Sequence, residues 1–178
     1  MTTYLALLRG INLGSRNKIA MPALREVFTA LGHGDVRTHL QTGNVIFTAT
    51  GDVASLAAEL QKRIADDLGA TTTVLLRTAA DVAKVAGNNP LAGGAADPSK
   101  LHVTFLAGRP DRGRVPRLDE LAAEPEEFAV KGREVYLYCP NGYGRTKLSN
   151  ANLEKRLGVT ATTRSWKVTT KLHELASG

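Results

Sequence analysis

Along residues 3–78 the hydrophobic period switches between that of a strand and that of a helix in a fixed order, and this order limits the fold more than any other feature. "TYLALLRG" (3–10) is an apolar run of the kind found in a central strand buried on both faces. In "MPALREVFTALG", Leu24, Val27, Phe28 and Leu31 recur at helical spacing, with Pro22 suited to the first turn and Gly32 to the end. "DVRTHLQTGNVIFTAT" reads as two alternating strands joined through Thr42-Gly43-Asn44. "DVASLAAELQKRIADDLG" returns to helical spacing with Leu56, Leu60, Ile64 and Leu68, and Asp52 is placed to cap it. "TTTVLLRT" closes the set as a β-branched strand. The order is β-α-β-β-α-β, the split βαβ or ferredoxin-like unit.

The second half repeats it. Thr78 and Asp81 are spaced as a capping box for a bridging helix at about 79–87, and "NNPLAGGAADPSK" (88–100) reads as the linker. Next come a strand ("LHVTFLAG"), a short helix ("VPRLDELAA") and a hairpin in "EEFAVKGREVYLYC" turning at Lys131-Gly132-Arg133. "NANLEKRLG" reads as a helix capped by Ser149 and stopped by Gly158; "VTATTRS" is the last strand and "WKVTTKLHELA" a terminal helix. The expected fold is α+β: two tandem ferredoxin-like halves with a bridging helix and a C-terminal helix. The halves fall at 1–78 and 101–178, with the bridge and linker at 79–100.

In such a unit the first and second strands run parallel, so the loop after strand one and the hairpin after strand two leave the same end of the sheet. Arg9, Asn12, Lys18, Gln41 and Asn44 are therefore expected on one rim. In the second half "PNGYGRTK" leaves the opposite end and feeds a helix N-terminus.

Composition narrows the function classes. Residues 1–130 carry as many acidic as basic side chains, whereas 131–178 carry nine Lys/Arg against three Glu, so the whole net charge of +6 lies in the last 48 residues. A basic segment beside a neutral one favours phosphate or nucleic acid as a partner. The single cysteine, Cys139, excludes an intramolecular disulfide and fits a reducing, cytoplasmic setting. The apolar opening "YLALL" is too short for a signal core or a membrane span, so no membrane association is expected.

Candidate binding residues follow from chemistry. In "PNGYGRTKLSN" (140–150), Gly142 and Gly144 let amides turn toward an anion while Arg145 and Lys147 add charge-assisted hydrogen bonds. The competing reading is an ordinary glycine turn. The Arg9/Asn12/Lys18/Gln41/Asn44 rim offers groups that pin a planar polar ligand but none that titrates near neutrality. Tyr143, or Trp166 with Arg164, is placed to stack a base, and Thr163 to cap the last helix, although a lone tryptophan at a helix start is more often a core anchor. The four histidines are isolated from one another and from Cys139, so no metal and no cofactor are expected.

"LLRGINLGSRNKIAM", "QTGNVIF", "LHVTFL", "VYLYCPNGYGRTKLSNANLEKRLGVTATTRSW" and "TKL" together resemble the bacterial domain-of-unknown-function family 1697, from about Tyr4 to Leu175. The resemblance implies paired ferredoxin-like units and brings no activity. It would carry over Arg9, Gly10, Asn12, Lys18, Gln41, Gly43, Asn44, Gly142, Tyr143, Gly144, Lys147, Arg164, Trp166 and Lys171. The family's common Arg-Asn-Trp-Asn is replaced here by Arg164-Ser165-Trp166-Lys167. The first expectation is thus a binder of a phosphate-bearing ligand, nucleic acid or a nucleotide-like phosphorylated small molecule, through the basic Gly-rich loop with Arg145 and Lys147. The alternatives are an enzyme that uses the Arg9/Asn12/Lys18/Gln41/Asn44 rim on a small polar metabolite in a cleft between the halves, and a protein–protein adaptor.

Overall fold

The computed structural model describes residues 1–94 and 96–178. It is a mixed α+β structure with two four-stranded antiparallel sheets and five α-helices. The chain divides into two compact units, Met1–Lys84 with Leu172–Gly178, and Val85–Lys171. Of the expected linker, Ala95 lies outside the described residues.

In the first unit the strands are β1 (Thr2–Leu8), β2 (Gly34–Thr38), β3 (Asn44–Ala49) and β4 (Val74–Thr78), paired in the order β2-β3-β1-β4. Helices α1 (Met21–Ala30) and α2 (Val53–Leu68) bury Leu24, Val27, Phe28, Leu56, Leu60 and Ile64, the apolar stripes expected from their spacing. These residues pack with Tyr4, Ala6, Leu8, Val45, Phe47, Val74 and Leu76 from one face of the sheet. Leu5 and Leu7, on the other face of β1, are buried as well, as a doubly covered central strand requires. Asp52 caps α2 through the Ser55 amide (3.0 Å), and Gly69 ends it in the left-handed region. Helix α3 (Ala79–Gly87) opens on the expected reciprocal cap: the Thr78 amide donates to the Asp81 carboxylate (3.0 Å) and the Asp81 amide to the Thr78 hydroxyl (3.1 Å).

The second unit repeats the sheet with β5 (Leu101–Leu106), β6 (Glu127–Lys131), β7 (Glu134–Tyr138) and β8 (Ala161–Ser165), in the order β6-β7-β5-β8. Helix α4 (Asn150–Leu157) is capped by Ser149 and closed by a left-handed Gly158. Helix α5 (Trp166–Ser177) begins in this unit and ends in the first. Two expectations need correction. "VPRLDELAA" forms only a 3-10 turn, Val115–Leu118, yet Leu118 and Leu121 are both buried, because a 3-10 turn also places i and i+3 on one side. The cap of α5 is Ser165, whose hydroxyl accepts from the Val168 amide (3.1 Å); Thr163 instead bonds Thr104 and Asn150.

The strand registers expose a residue-level repeat that the sequence hides. Tyr4 pairs with Thr78 and Leu5 with Arg77 in one sheet; His102 pairs with Ser165 and Val103 with Arg164 in the other. Arg77 and Arg164 are therefore equivalent, and both are buried. The Leu8 amide donates to the Gly43 carbonyl (2.9 Å) and the Arg9 amide to that of Thr73 (3.0 Å). Their counterparts, Leu106 and Ala107, donate to Arg133 and Thr160, both at 2.8 Å.

Candidate functional site

The β1–α1 connection, residues 9–20, folds back on itself through four left-handed positions, Gly10, Asn12, Gly14 and Asn17. The Asn12 amide donates to the Asn17 carbonyl (3.0 Å), and Leu13 bridges Arg16 at the tip. Two asparagine side chains then clamp the loop. Asn12 Nδ2 donates to the carbonyls of Ile19 (3.0 Å) and Gln41 (2.7 Å), and its Oδ1 accepts from the Ile19 amide (2.7 Å). Asn17 Nδ2 donates to the Thr71 carbonyl (3.0 Å) on the other side. The β1–α1 loop and the β2–β3 turn do meet on one rim, as the topology demanded.

The rim sorts into groups that hold the backbone and groups left to solvent. Asn44 is fully buried, its Nδ2 donating to His39 carbonyl (2.8 Å) and Thr42 Oγ1 (3.0 Å), and so shapes the turn. Arg16, Lys18 and Gln41 are exposed and Arg9 is half-buried. Two shallow depressions of about 380 Å3 each flank the loop. One is lined by Asn12, Gly14, Lys18, Ile19, Ala20 and Gln41, the other by Arg9, Gly10, Asn17, Gln61 and Thr71 to Thr73. No Asp or Glu occurs in residues 9–20 or 37–44, so neither loop of the rim carries a carboxylate of its own; Asp66 and Asp67, in the last turn of α2, are paired with Lys62 and Arg63. Arg16 and Asn17 were not singled out from sequence; the run of Gly and Asn around them was the available signal.

The "PNGYGRTKLSN" loop is more committed to its own fold. It lies at the start of β5, where the Cys139 amide donates to the Lys100 carbonyl (2.9 Å). Gly142 takes φ 97°, which favours glycine. The amides of Gly142, Arg145 and Thr146 all donate within the turn, and Ser149 caps the helix four residues beyond Arg145. Glycine amides and helix terminus thus do not form one continuous cradle. Arg145 and Lys147 are exposed and line a depression of about 290 Å3, with Glu126 on the same wall. The Tyr143 ring stacks on His102 (centroids 4.8 Å apart, planes 23°), and its hydroxyl bonds Thr163. Arg164 is buried, donating to Thr162 Oγ1 (2.7 Å) and the Thr163 carbonyl (3.1 Å); burial pulls its pKa down to about 10, so it stays charged at neutral pH. Trp166 is half-buried at the start of α5, and Gly144 is exposed.

Nucleophile chemistry finds no support at Cys139, whose thiol pKa is pushed up by burial. Among the described residues no group of His, Cys, Asp and Glu converges on a metal-sized site. The histidines instead carry a pH dependence. His33 Nε2 and His102 Nδ1 are buried with no hydrogen-bond partner among the described residues, and desolvation lowers the pKa of both rings. A base whose pKa is lower folded than unfolded binds more protons in the unfolded state, so stability falls as pH drops below the unfolded value of about 6.5. The chain is expected to melt lower at pH 5.5 than at pH 7.5. A His33→Gln/His102→Gln variant should flatten that dependence, and an equally steep melting profile in it would refute the assignment.

The profile of the family described as a protein of unknown function (DUF1697) matches residues 1–136. The chain belongs to this family. A solved structure, the conserved bacterial protein SP0830 from Streptococcus pneumoniae, is similar at TM-score 0.78 over 98% of each chain, with 24% identity, a likeness of fold. None of the curated proteins matches the chain. Membership in DUF1697 brings no chemistry with it, so the reading of this site rests on its geometry. Among the described residues, no helix of this DUF1697 member is long and apolar enough to cross a membrane.

Proposed function

We propose that this chain binds a phosphate-bearing ligand, nucleic acid or nucleotide-like, through basic loops on two ferredoxin-like units. The unit assignment is supported by the strand orders β4-β1-β3-β2 and β8-β5-β7-β6, which read 4-1-3-2 within each half. Boundaries at 1–78 and 101–178, with a bridge at 79–100, belong to the same reading, as does a cytoplasmic location for the buried lone thiol.

The carrying observation is a pair of hydrogen-bonded rim loops that carry basic side chains and no carboxylate of their own. Arg16 and Lys18 project from a loop whose asparagines are occupied in holding it rigid, beside Arg9 and Gln41. Preformed cationic loops lose little conformational entropy on meeting an anion, and guanidinium and ammonium donors make charge-assisted bonds to phosphate. Arg145 and Lys147 supply a second cationic surface, weakened by the neighbouring Glu126.

A thermal-shift series with inorganic phosphate, mono- and triphosphate nucleotides and short oligonucleotides, at low and high salt, tests this reading. A ligand that binds only the folded chain raises its melting point. Oligonucleotide stabilisation should vanish at high salt, because each neutralised phosphate releases counterion. Replacing Arg16 and Lys18 by alanine should remove most of the shift, and the Arg145→Ala/Lys147→Ala pair less. A shift that survives all four substitutions would sink the proposal.

A further inference from the structure

Among the described residues, four large hydrophobic side chains stand in solvent: Met1, Leu13, Leu40 and Val53. Leu13 and Leu40 differ from the other two in position. They are 68% and 51% exposed, and each is the chain neighbour of one end of the Asn12–Gln41 hydrogen bond. Both therefore sit on the basic rim, on two loops tied to each other.

Folding gains less from leucine at these two places than at a core position, since much of each side chain stays in solvent. Leu13 begins the tip of a tight reversal, where a polar residue would do as well, and exposed apolar surface returns none of the free energy of burial. Leu40 takes φ 61°, a left-handed conformation that glycine and asparagine adopt most readily. The other non-glycine residues with positive φ are Asn12, Asn17 and Asp35, so Leu40 is the one aliphatic side chain held in that region among the described residues. A strained backbone carrying an exposed apolar group is the pattern of a residue kept for contact with a partner.

The partner's chemistry follows from what surrounds the two leucines. Arg16 and Lys18 are exposed beside Leu13, and no carboxylate lies in either loop. A second copy using the same surface would bring like charges together, so the complement is an anion. No Phe, Tyr or Trp occurs in residues 9–20 or 37–44 and the one ring there, His39, is half-buried, so the rim offers no row of exposed rings on which a single strand would stack. Aliphatic tips beside Arg, Lys and Gln are instead the groups that enter a duplex minor groove and wedge between base steps. Resting on the phosphate-binding reading above, we infer that the rim binds double-stranded nucleic acid, with Leu13 and Leu40 as wedges at a base step and Arg16 and Lys18 on the flanking phosphates.

The test uses the full chain and a short DNA duplex with a central TA step, 2-aminopurine at that step and a fluorophore pair at the ends. Binding should weaken with salt, brighten the 2-aminopurine as the step unstacks, and raise end-to-end energy transfer as the duplex bends. Leu13→Ser/Leu40→Asn should abolish both optical signals and weaken duplex binding by roughly tenfold, the cost of losing an apolar wedge contact. It should melt no lower than the parent, since asparagine relieves the left-handed position. Arg16→Ala/Lys18→Ala should reduce the salt slope by about two, one for each lost phosphate contact. Salt-dependent binding that persists in the leucine variant, with no unstacking in either protein, overturns the wedge and leaves phosphate binding standing. Leucine-dependent binding to anionic phospholipid vesicles but not to duplex overturns it in favour of a membrane surface. Binding to no duplex, single strand or nucleotide removes both readings together.

Discussion

A Phe47→Ala chain is expected to lose about 4 kcal/mol of stability, the range for a large aromatic removed from a core, and to melt on the order of 10 °C lower. Phe47 joins three elements of the first unit. Its ring stacks with Tyr4 across the β1–β3 pairing (centroids 5.6 Å), meets Phe28 of α1 edge-on (5.0 Å), and lies 5.2 Å from His33 in the turn before β2. Truncation leaves a void that these rings cannot fill, because each is fixed on a different backbone. Phe47→Leu should cost far less, since it keeps most of the buried carbon. The void also admits water to His33, so the ring's pKa, held down by burial, should rise toward its ordinary value in the alanine variant. Urea unfolding gives the first quantity and proton NMR titration the second. A loss below about 1 kcal/mol would show that the cluster repacks.

Gly43→Ala should cost about 3 kcal/mol, unusual for the addition of one methyl group. Gly43 has φ 92°, and a Cβ there would stand 2.8 Å from both Leu8 Cβ and Ile11 Cδ1. Backbone strain and collision therefore act together. Its carbonyl also receives the Leu8 amide, so the turn cannot shift without breaking a hydrogen bond at the end of β1. Gly10→Ala and Gly14→Ala are the controls. Both residues have positive φ, but no atom of the described residues lies within 4 Å of an added Cβ, so each should cost only about 1 kcal/mol from strain. Equal losses at all three positions would mean that conformation alone, without the contact, governs this turn. Because Gly43 sits between Gln41 and Asn44, its replacement should also displace the rim and weaken any ligand bound there.

Local chemistry was legible in the sequence and long-range register was not. Asp52, Ser149 and the Thr78/Asp81 pair announced their helices because a cap needs only residues three apart. The continuous apolar run of β1 and the turn glycine before β3 likewise marked their strands. The equivalence of Arg77 and Arg164 stayed hidden, since one follows "VLL" and the other "ATT"; only pairing with Leu5 and Val103 aligns them. "VPRLDELAA" misled because its leucines at i and i+3 satisfy a single 3-10 turn as well as a helix. At the site, residue types indicated which groups bind but not which are already occupied. Asn12 and Asn44 look like ligand contacts in the sequence, and in the structure their amides hold Ile19, Gln41, His39 and Thr42.

The division of the chain has a consequence for its biogenesis. Residues 172–178 belong with 1–84, and the Arg37 guanidinium donates to the Leu175 carbonyl (2.9 Å). Everything from Val85 to Lys171 is thus an excursion inserted into the first unit. During synthesis on the ribosome the inserted unit has all of its segments before the first one does. The half that emerges first is completed last, and its final contacts wait for the closing turns of α5.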